Sequence, residues 1–120
     1  MTVCGKVALV VEDEPLVAMM ACDTLEGLGY TVFEARTLGE ATAILSEERG
    51  VSLLFTDIEL ADGSSGIDLA RHVSAGYPEI RIVITSGRGG PNVVPLGAFF
   101  IPKPYAQQHL ASALRQQSAR

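Results

Sequence analysis

A doubly wound α/β fold around a five-stranded parallel sheet is the architecture this sequence predicts. Five short runs rich in Val, Ile, Leu and Phe alternate with segments of helical character. The runs are apolar almost without interruption, as strands covered on both faces are. The conspicuous polar residues stand just beyond the carboxyl ends of those runs, where open parallel sheets gather their functional groups.

The first strand is KVALVV (6–11), short and β-branched. A helix is predicted over 14–30, with Pro15 in its first turn and Gly27 and Gly29 at its end. Leu16, Met19, Met20, Leu25 and Leu28 have roughly helical spacing and are its predicted core face. TVFEAR (31–36) is the second strand. The helix over 37–50 opens on Thr37 and Glu40, a capping-box pattern, and closes on Gly50. VSLLFT (51–56) is the third strand, followed by the loop DIELADGS. The third helix runs over about 65–76, with Ser65 and Asp68 at capping-box spacing. IRIVIT (80–85) and AFFI (98–101) are the fourth and fifth strands, and a last helix covers about 105–118.

Between the last two strands lies GRGGPNVVPLG (87–97). A crossover helix belongs there, yet Gly89, Gly90, Pro91 and Pro95 oppose one, by roughly 1 kcal/mol for an interior Gly and 3 for a Pro. The crossover is therefore expected to be shortened or replaced by loop, with at most a turn near 92–96.

The length is that of one domain, 1–120, with no repeat, linker or low-complexity segment. No apolar run approaches the roughly 20 residues of a membrane span. The amino terminus lacks a signal-peptide pattern, so a cytoplasmic location is expected. A net charge of −5 with scattered basic residues argues against direct DNA binding. Cys4 and Cys22 form no ligand motif and read as two unpaired thiols in a reducing compartment.

At the strand ends stand Glu12 and Asp13, Asp57, Thr85, and Lys103. On a parallel sheet they share one rim. Three carboxylates packed together repel, and a hard divalent cation such as Mg2+ resolves the conflict. Asp57, alone at the tip of a buried strand, is a candidate nucleophile toward a phosphoryl group. Lys103 and the Thr85 hydroxyl can neutralise and hydrogen-bond phosphoryl oxygens. Asp13 is also placed to cap the first helix. His72 and His109, each alone on a predicted helix, are expected to face solvent.

In order along the chain, VVEDEP, FTDIELADGSSG, VITSG and PKPY make the sequence resemble the response regulator receiver domains of two-component signalling. The resemblance implies a flavodoxin-like strand order 2-1-3-4-5 and Asp57 as phosphoacceptor. It implies Glu12, Asp13, Asp57 and the backbone carbonyl of Glu59 as Mg2+ ligands, Thr85 as switch hydroxyl and Lys103 as phosphoryl-binding lysine. Phe100 occupies the position of the family's aromatic switch, and the Lys103–Pro104 bond is expected to be cis. A sensor histidine kinase or histidine phosphotransfer protein would be the donor, and the output a protein contact or phosphorelay rather than turnover catalysis. A stand-alone domain is the expectation. A receiver fragment of a longer regulator or hybrid kinase, a small aspartate-nucleophile phosphatase, and a phosphate-independent pseudo-receiver are the alternatives.

The chain departs from the family pattern in several places. Glu12 replaces the commoner Asp, Ala61 stands where proline is usual, and Ser65 replaces an acid. LADGSSG is one residue longer than the common loop. The stretch from Thr85 to Lys103 is shorter by about one helical turn, roughly four residues. The face built around 87–97 is thus the expected point of difference, ordering on phosphorylation or on partner binding.

Overall fold

A computed structural model describes residues 6–87, 98–103 and 105–118, the last four as backbone only. The alternation of strands and helices closes into one parallel sheet of order β2-β1-β3-β4-β5. The strands are β1 (Val7–Val11), β2 (Thr31–Ala35), β3 (Val51–Asp57), β4 (Arg81–Ser86) and β5 (Ala98–Pro102). The helices are α1 (Pro15–Gly27), α2 (Leu38–Glu47), α3 (Gly66–Gly76) and α4 (Gln107–Ser118). The segment 88–97, where a shortened or missing crossover helix was expected, lies outside the described residues, as do Cys4, Pro104 and the bond before it. No helix among the described residues is long and apolar enough to cross a membrane.

Strand alternation divides the core in two. Ala8, Val10, Leu53, Phe55, Val83 and Ile101 point to the face covered by Ala21 and Leu25 of α1 and Leu110 and Leu114 of α4. Leu9, Val11, Leu54, Ile82 and Ile84 point to the other face, beneath Ala41 and Leu45 of α2 and Leu69 and Val73 of α3. β1, β3 and β4 form the buried centre of the sheet, which accounts for their near-continuous apolar runs.

The core face of α1 follows the expectation in part: Leu25 is buried and Met20 and Leu28 pack against the core, but Leu16 and Met19 do not. Leu16 and Met19 are 76% and 56% exposed, whereas Ala18, Ala21, Cys22 and Leu25 are buried. Those four lie at i, i+3, i+4 and i+7, a true helical stripe. Three of them are small, so the helix can approach the sheet closely, and Leu16 and Met19 fall outside that stripe. The first-helix cap also differs. The cap residue is Glu14, without a side-chain cap bond, and Asp13 lies outside the helix.

The other caps form as their residue types require, with adjustments. Thr37 accepts from the Glu40 amide at 3.1 Å. The Glu40 carboxylate reaches back to the Arg36 amide at 2.8 Å, one residue earlier than a standard box. Ser65 accepts from the Ile67 amide at 3.0 Å, but Asp68 leans toward Arg71 on the exposed side instead of closing a box. The loop before α3 closes on itself through Leu60 N–H to the Ser64 carbonyl at 3.1 Å. Its turn uses Gly63 at φ 84°, a left-handed conformation that disfavours other residues.

Gly66 makes the tightest approach of the described glycines. A Cβ there would sit 1.8 Å from the Asp57 carbonyl oxygen and 2.9 Å from Thr56 Oγ1. Its amide donates to the Ile58 carbonyl at 2.7 Å, so the first turn of α3 lies directly against the tip of β3. Gly66→Ala is expected to lower stability by about 1–3 kcal/mol or more, through forced separation of α3 from β3. Urea denaturation measures it, and a neutral result would contradict this packing.

Cys22 is buried, and burial, then the neighbouring Glu34 carboxylate, push its thiol pKa up to about 12. At pH 7.5 the native protein is expected to leave Cys22 unalkylated by iodoacetamide while urea exposes it, as peptide mass mapping would show.

Candidate functional site

The alternation that buries Val10, Phe55 and Val83 carries Glu12, Asp57 and Thr85 to the same face two residues on, at the carboxyl rim. Asp57 is the last residue of β3, in register with Thr85 of β4. The β3 and β4 ends are tied by the Ile58 amide donating to the Thr85 carbonyl at 3.0 Å. On the β5 side, the Lys103 amide donates to the Ser86 carbonyl at 2.9 Å, which sets the root of the lysine side chain beside the rim.

Lys103 is the cation of the site. Its Nζ lies 3.0 Å from Asp57 Oδ2 and 3.2 Å from Glu12 Oε1, with Glu14 at 3.6 Å on the outside. The Glu12 side chain is fully buried, and those of Asp57 and Lys103 are 9% and 16% exposed. Burial alone would lower the lysine pKa. The hydrogen bond to Asp57 and the charges of Glu12 and Asp57 outweigh it, so the net shift is upward and the ammonium stays charged.

Glu12 shows the other side of the same crowding. Burial, then the charge of Asp57, raise its pKa to about 6 against the pull of Lys103 and of the Glu14 amide. That amide donates to Oε2 at 3.2 Å. Oε1 has no hydrogen-bond partner among the described residues, its 3.2 Å approach to Lys103 being a charge contact off the hydrogen-bond direction.

Glu12, Asp13 and Asp57 each offer a carboxylate oxygen, all within 4.8 Å of one another. The donor set is oxygen only, two members are buried, and one buried oxygen lacks a hydrogen bond. Such a set suits a hard divalent cation, and these residues fit one. Thr85 is fully buried and its hydroxyl too has no partner among the described residues. The Glu59 amide donates to Asp57 Oδ1 at 3.4 Å.

Five of the residues singled out from the sequence therefore meet at the rim: Glu12, Asp13, Asp57, Thr85 and Lys103. Phe100 does not join them. It is half-buried and packs on the opposite face of the sheet with the Leu54 and Ile84 side of the core, paired in register with Ile84. His72 and His109 are exposed, as expected.

Two residues to which the sequence reading gave no role border the site. Glu14 adds an outer carboxylate to Lys103. Tyr105 is buried, meets Phe55 edge-on at 6.0 Å, and keeps a buried hydroxyl without a partner among the described residues. The signal for Tyr105 was its place two residues after Lys103, where a hydroxyl on a core aromatic is unusual chemistry to bury.

Lys103 is the only cation in this cluster among the described residues, and removing it leaves two buried carboxylates facing each other. Lys103→Met is expected to cost about 3–5 kcal/mol at pH 7 in metal-free buffer, the usual penalty for orphaning buried charge. Chemical denaturation in EDTA measures it, and a change below about 1 kcal/mol would mean that the cluster is solvated.

The family model described as "Response regulator receiver domain" matches residues 8–115. Over 111 residues the chain is 39% identical to the phyllosphere-induced regulator PhyR of Methylorubrum extorquens, covering 90% of this chain and 42% of that protein. It is 32% identical over 116 residues to the sensor kinase CckA of Brucella abortus, covering 90% of this chain and 12% of that protein. The chain thus spans less than half the length of these curated relatives. The receiver domain of Erythrobacter litoralis PhyR superposes with a TM-score of 0.83 at 26% identity, covering 96% of this chain and 91% of that one. The response regulator PhyR of Brucella abortus superposes with a TM-score of 0.77 at 32% identity, covering 95% and 47%. With the fold, the strand order and the acidic rim in agreement, this chain belongs to the response regulator receiver domain family of two-component signalling.

Proposed function

We propose that the chain accepts a phosphoryl group on Asp57 from a phosphohistidine of a sensor kinase or a histidine phosphotransfer protein, and signals through the resulting change of shape. The observation that carries this reading is the placement of Asp57: a buried carboxylate at the tip of the central strand, 3.0 Å from Lys103 and beside Glu12 and Asp13.

In this reading an Asp57 carboxylate oxygen attacks phosphorus. The new P–O bond forms as the P–N bond to the donor imidazole breaks, and the imidazole leaves with the bonding pair and takes a proton from solvent. Lys103 follows a phosphoryl oxygen, since its ammonium already sits within hydrogen-bond reach of the accepting carboxylate. The buried Thr85 hydroxyl is a donor for a second phosphoryl oxygen, and that bond relieves its unpaired state.

Glu12, Asp13 and Asp57 would hold Mg2+, with the carbonyl of Glu59 as a further ligand. The flanking bonds, Leu60 N–H to Ser64 and Gly66 N–H to Ile58, make Glu59 and Ser65 a non-hydrogen-bonded pair. Glu59 therefore turns its own amide and carbonyl away from Ser65, toward the side on which its amide meets Asp57. When bound, the ion neutralises charge on the transferring phosphoryl group.

Two states follow from one chemical change. The phosphoryl group draws Thr85 toward the rim, and Phe100, on the other face beside Ile84, is the residue placed to respond to movement of β4. Asp57 is modified rather than turned over, so the chain acts in this reading as one signalling domain over 1–120 and not as a classical enzyme.

Incubation with Mg2+ and phosphoramidate or acetyl phosphate is expected to add one phosphoryl group by intact mass, and Asp57→Asn is expected to abolish it. No adduct on the wild type would point to a phosphate-independent receiver. An undiminished adduct on Asp57→Asn would place the chemistry elsewhere.

A further inference from the structure

Glu59 stands beyond the end of β3, so no ladder of the sheet fixes it. Its amide meets Asp57 Oδ1 at 3.4 Å, and in the reading above its carbonyl is a ligand of the cation. What holds it is a small hairpin over 58–66. The Gly66 amide donates to the Ile58 carbonyl and the Leu60 amide to the Ser64 carbonyl, on either side of the Glu59–Ser65 pair. Both arms of this hairpin are fastened to the corner between β2 and α2. The Ala61 amide donates to the Arg36 carbonyl at 3.3 Å, and the Leu38 amide donates to Ser64 Oγ at 3.2 Å.

The same corner is tied to the other side of the rim. The Glu12 amide donates to the Ala35 carbonyl at 3.1 Å, and the Glu40 carboxylate braces the corner from within at the Arg36 amide. Residues 35–38 thus join two segments of the cation site, with Glu12 and Asp13 on one and Glu59 on the other. The Ser64 hydroxyl is oriented for its part. It donates to Asp62 Oδ1, which leaves its oxygen to accept from Leu38, and the Ser64 amide donates to the same carboxylate oxygen at 3.0 Å. Alanine at 61 matters as well, because the proline usual there has no amide to give Arg36.

We propose that Ser64 and Ala61 are positioning residues: they clamp Glu59 to the β2–α2 corner and thereby make the acidic rim prefer Mg2+ to Ca2+. This deepens the cation reading given above and rests on it. Mg2+ demands near-ideal octahedral geometry, whereas Ca2+ accepts more oxygens in a flexible arrangement, so selectivity depends on the freedom of the ligands. A carboxylate turns about its side-chain bonds to suit either ion. A main-chain carbonyl goes only where its backbone is held. With the clamp closed, the Glu59 carbonyl has one place relative to Glu12. With it open, the carbonyl still serves the larger, more forgiving ion and serves Mg2+ poorly.

The test measures Mg2+ and Ca2+ affinities of the full chain by calorimetry, with Tm in EDTA as a separate readout. Ser64→Ala removes the hydroxyl from Leu38 and Asp62, and Ala61→Pro removes the amide from Arg36. Each is expected to weaken Mg2+ binding about tenfold, the low end for outer partners of metal ligands, while Ca2+ binding stays nearly unchanged. Ser64→Thr keeps the hydroxyl and is expected to keep the wild-type ratio of the two affinities. An unchanged ratio in Ser64→Ala, even with a lower metal-free Tm, overturns the proposal and leaves the cation reading standing. Absence of any Mg2+ binding by the wild type overturns the cation reading itself, and this proposal with it.

Discussion

One ammonium group stands among the carboxylates that the fold forces together at the sheet's carboxyl rim. Lys103 is shared between Asp57 and Glu12 at 3.0 and 3.2 Å, and the confinement is set by backbone: Asp57 ends the central strand and Glu12 follows its neighbour. Neither acid can move away without unpairing a strand, and neither can be readily solvated, since both are buried. The raised pKa of Glu12, about 6, reflects that confinement, as does the net upward shift of Lys103. A site under such charge pressure suits an added cation.

Much of the surrounding packing serves to hold that rim in place. Gly66 admits the first turn of α3 to within contact of the Asp57 backbone, and its amide fixes Ile58. The Ile58 amide in turn fixes Thr85, and the Ser86 carbonyl fixes Lys103. A chain of backbone bonds thus runs from α3 through β3 and β4 to the lysine. It leaves the side chains of Asp57, Thr85 and Lys103 as the parts free to change partners, while the main chain beneath them is satisfied.

Where the sequence was legible, its signal was short-range. Thr37 and Ser65 at their helix starts do what a hydroxyl there does, and the strands run where β-branched residues are continuous. The phase of α1 was not legible in the same way. Leu16 and Met19 were assigned to the core face by their spacing with Met20, Leu25 and Leu28, yet the sheet takes the Ala18, Ala21, Cys22 and Leu25 stripe, with Met20 and Leu28 beside it, because small residues permit close approach. Approximate helical spacing leaves the edges of a face open, and what lies across the interface decides them. Phe100 is a similar case: the sequence placed it three residues before Lys103, and only alternation along β5 shows that it lies across the sheet from Thr85.

The sequence by itself determined the parallel α/β class and which residues stand at strand ends, because both follow from local composition and the period-two geometry of strands. It also determined that acids and one lysine would meet, since a parallel sheet brings its carboxyl ends to one edge. Only the tertiary structure decided how they meet. That Glu12 is buried with an oxygen off its hydrogen-bond axis, that Gly66 has no space for a methyl group, and that the Tyr105 hydroxyl is buried beneath the rim are properties of contacts far apart in the chain. Hydrogen bonds and charge interactions depend on ångström-scale distance and on the shielding of water, and neither quantity exists until the helices close over the sheet.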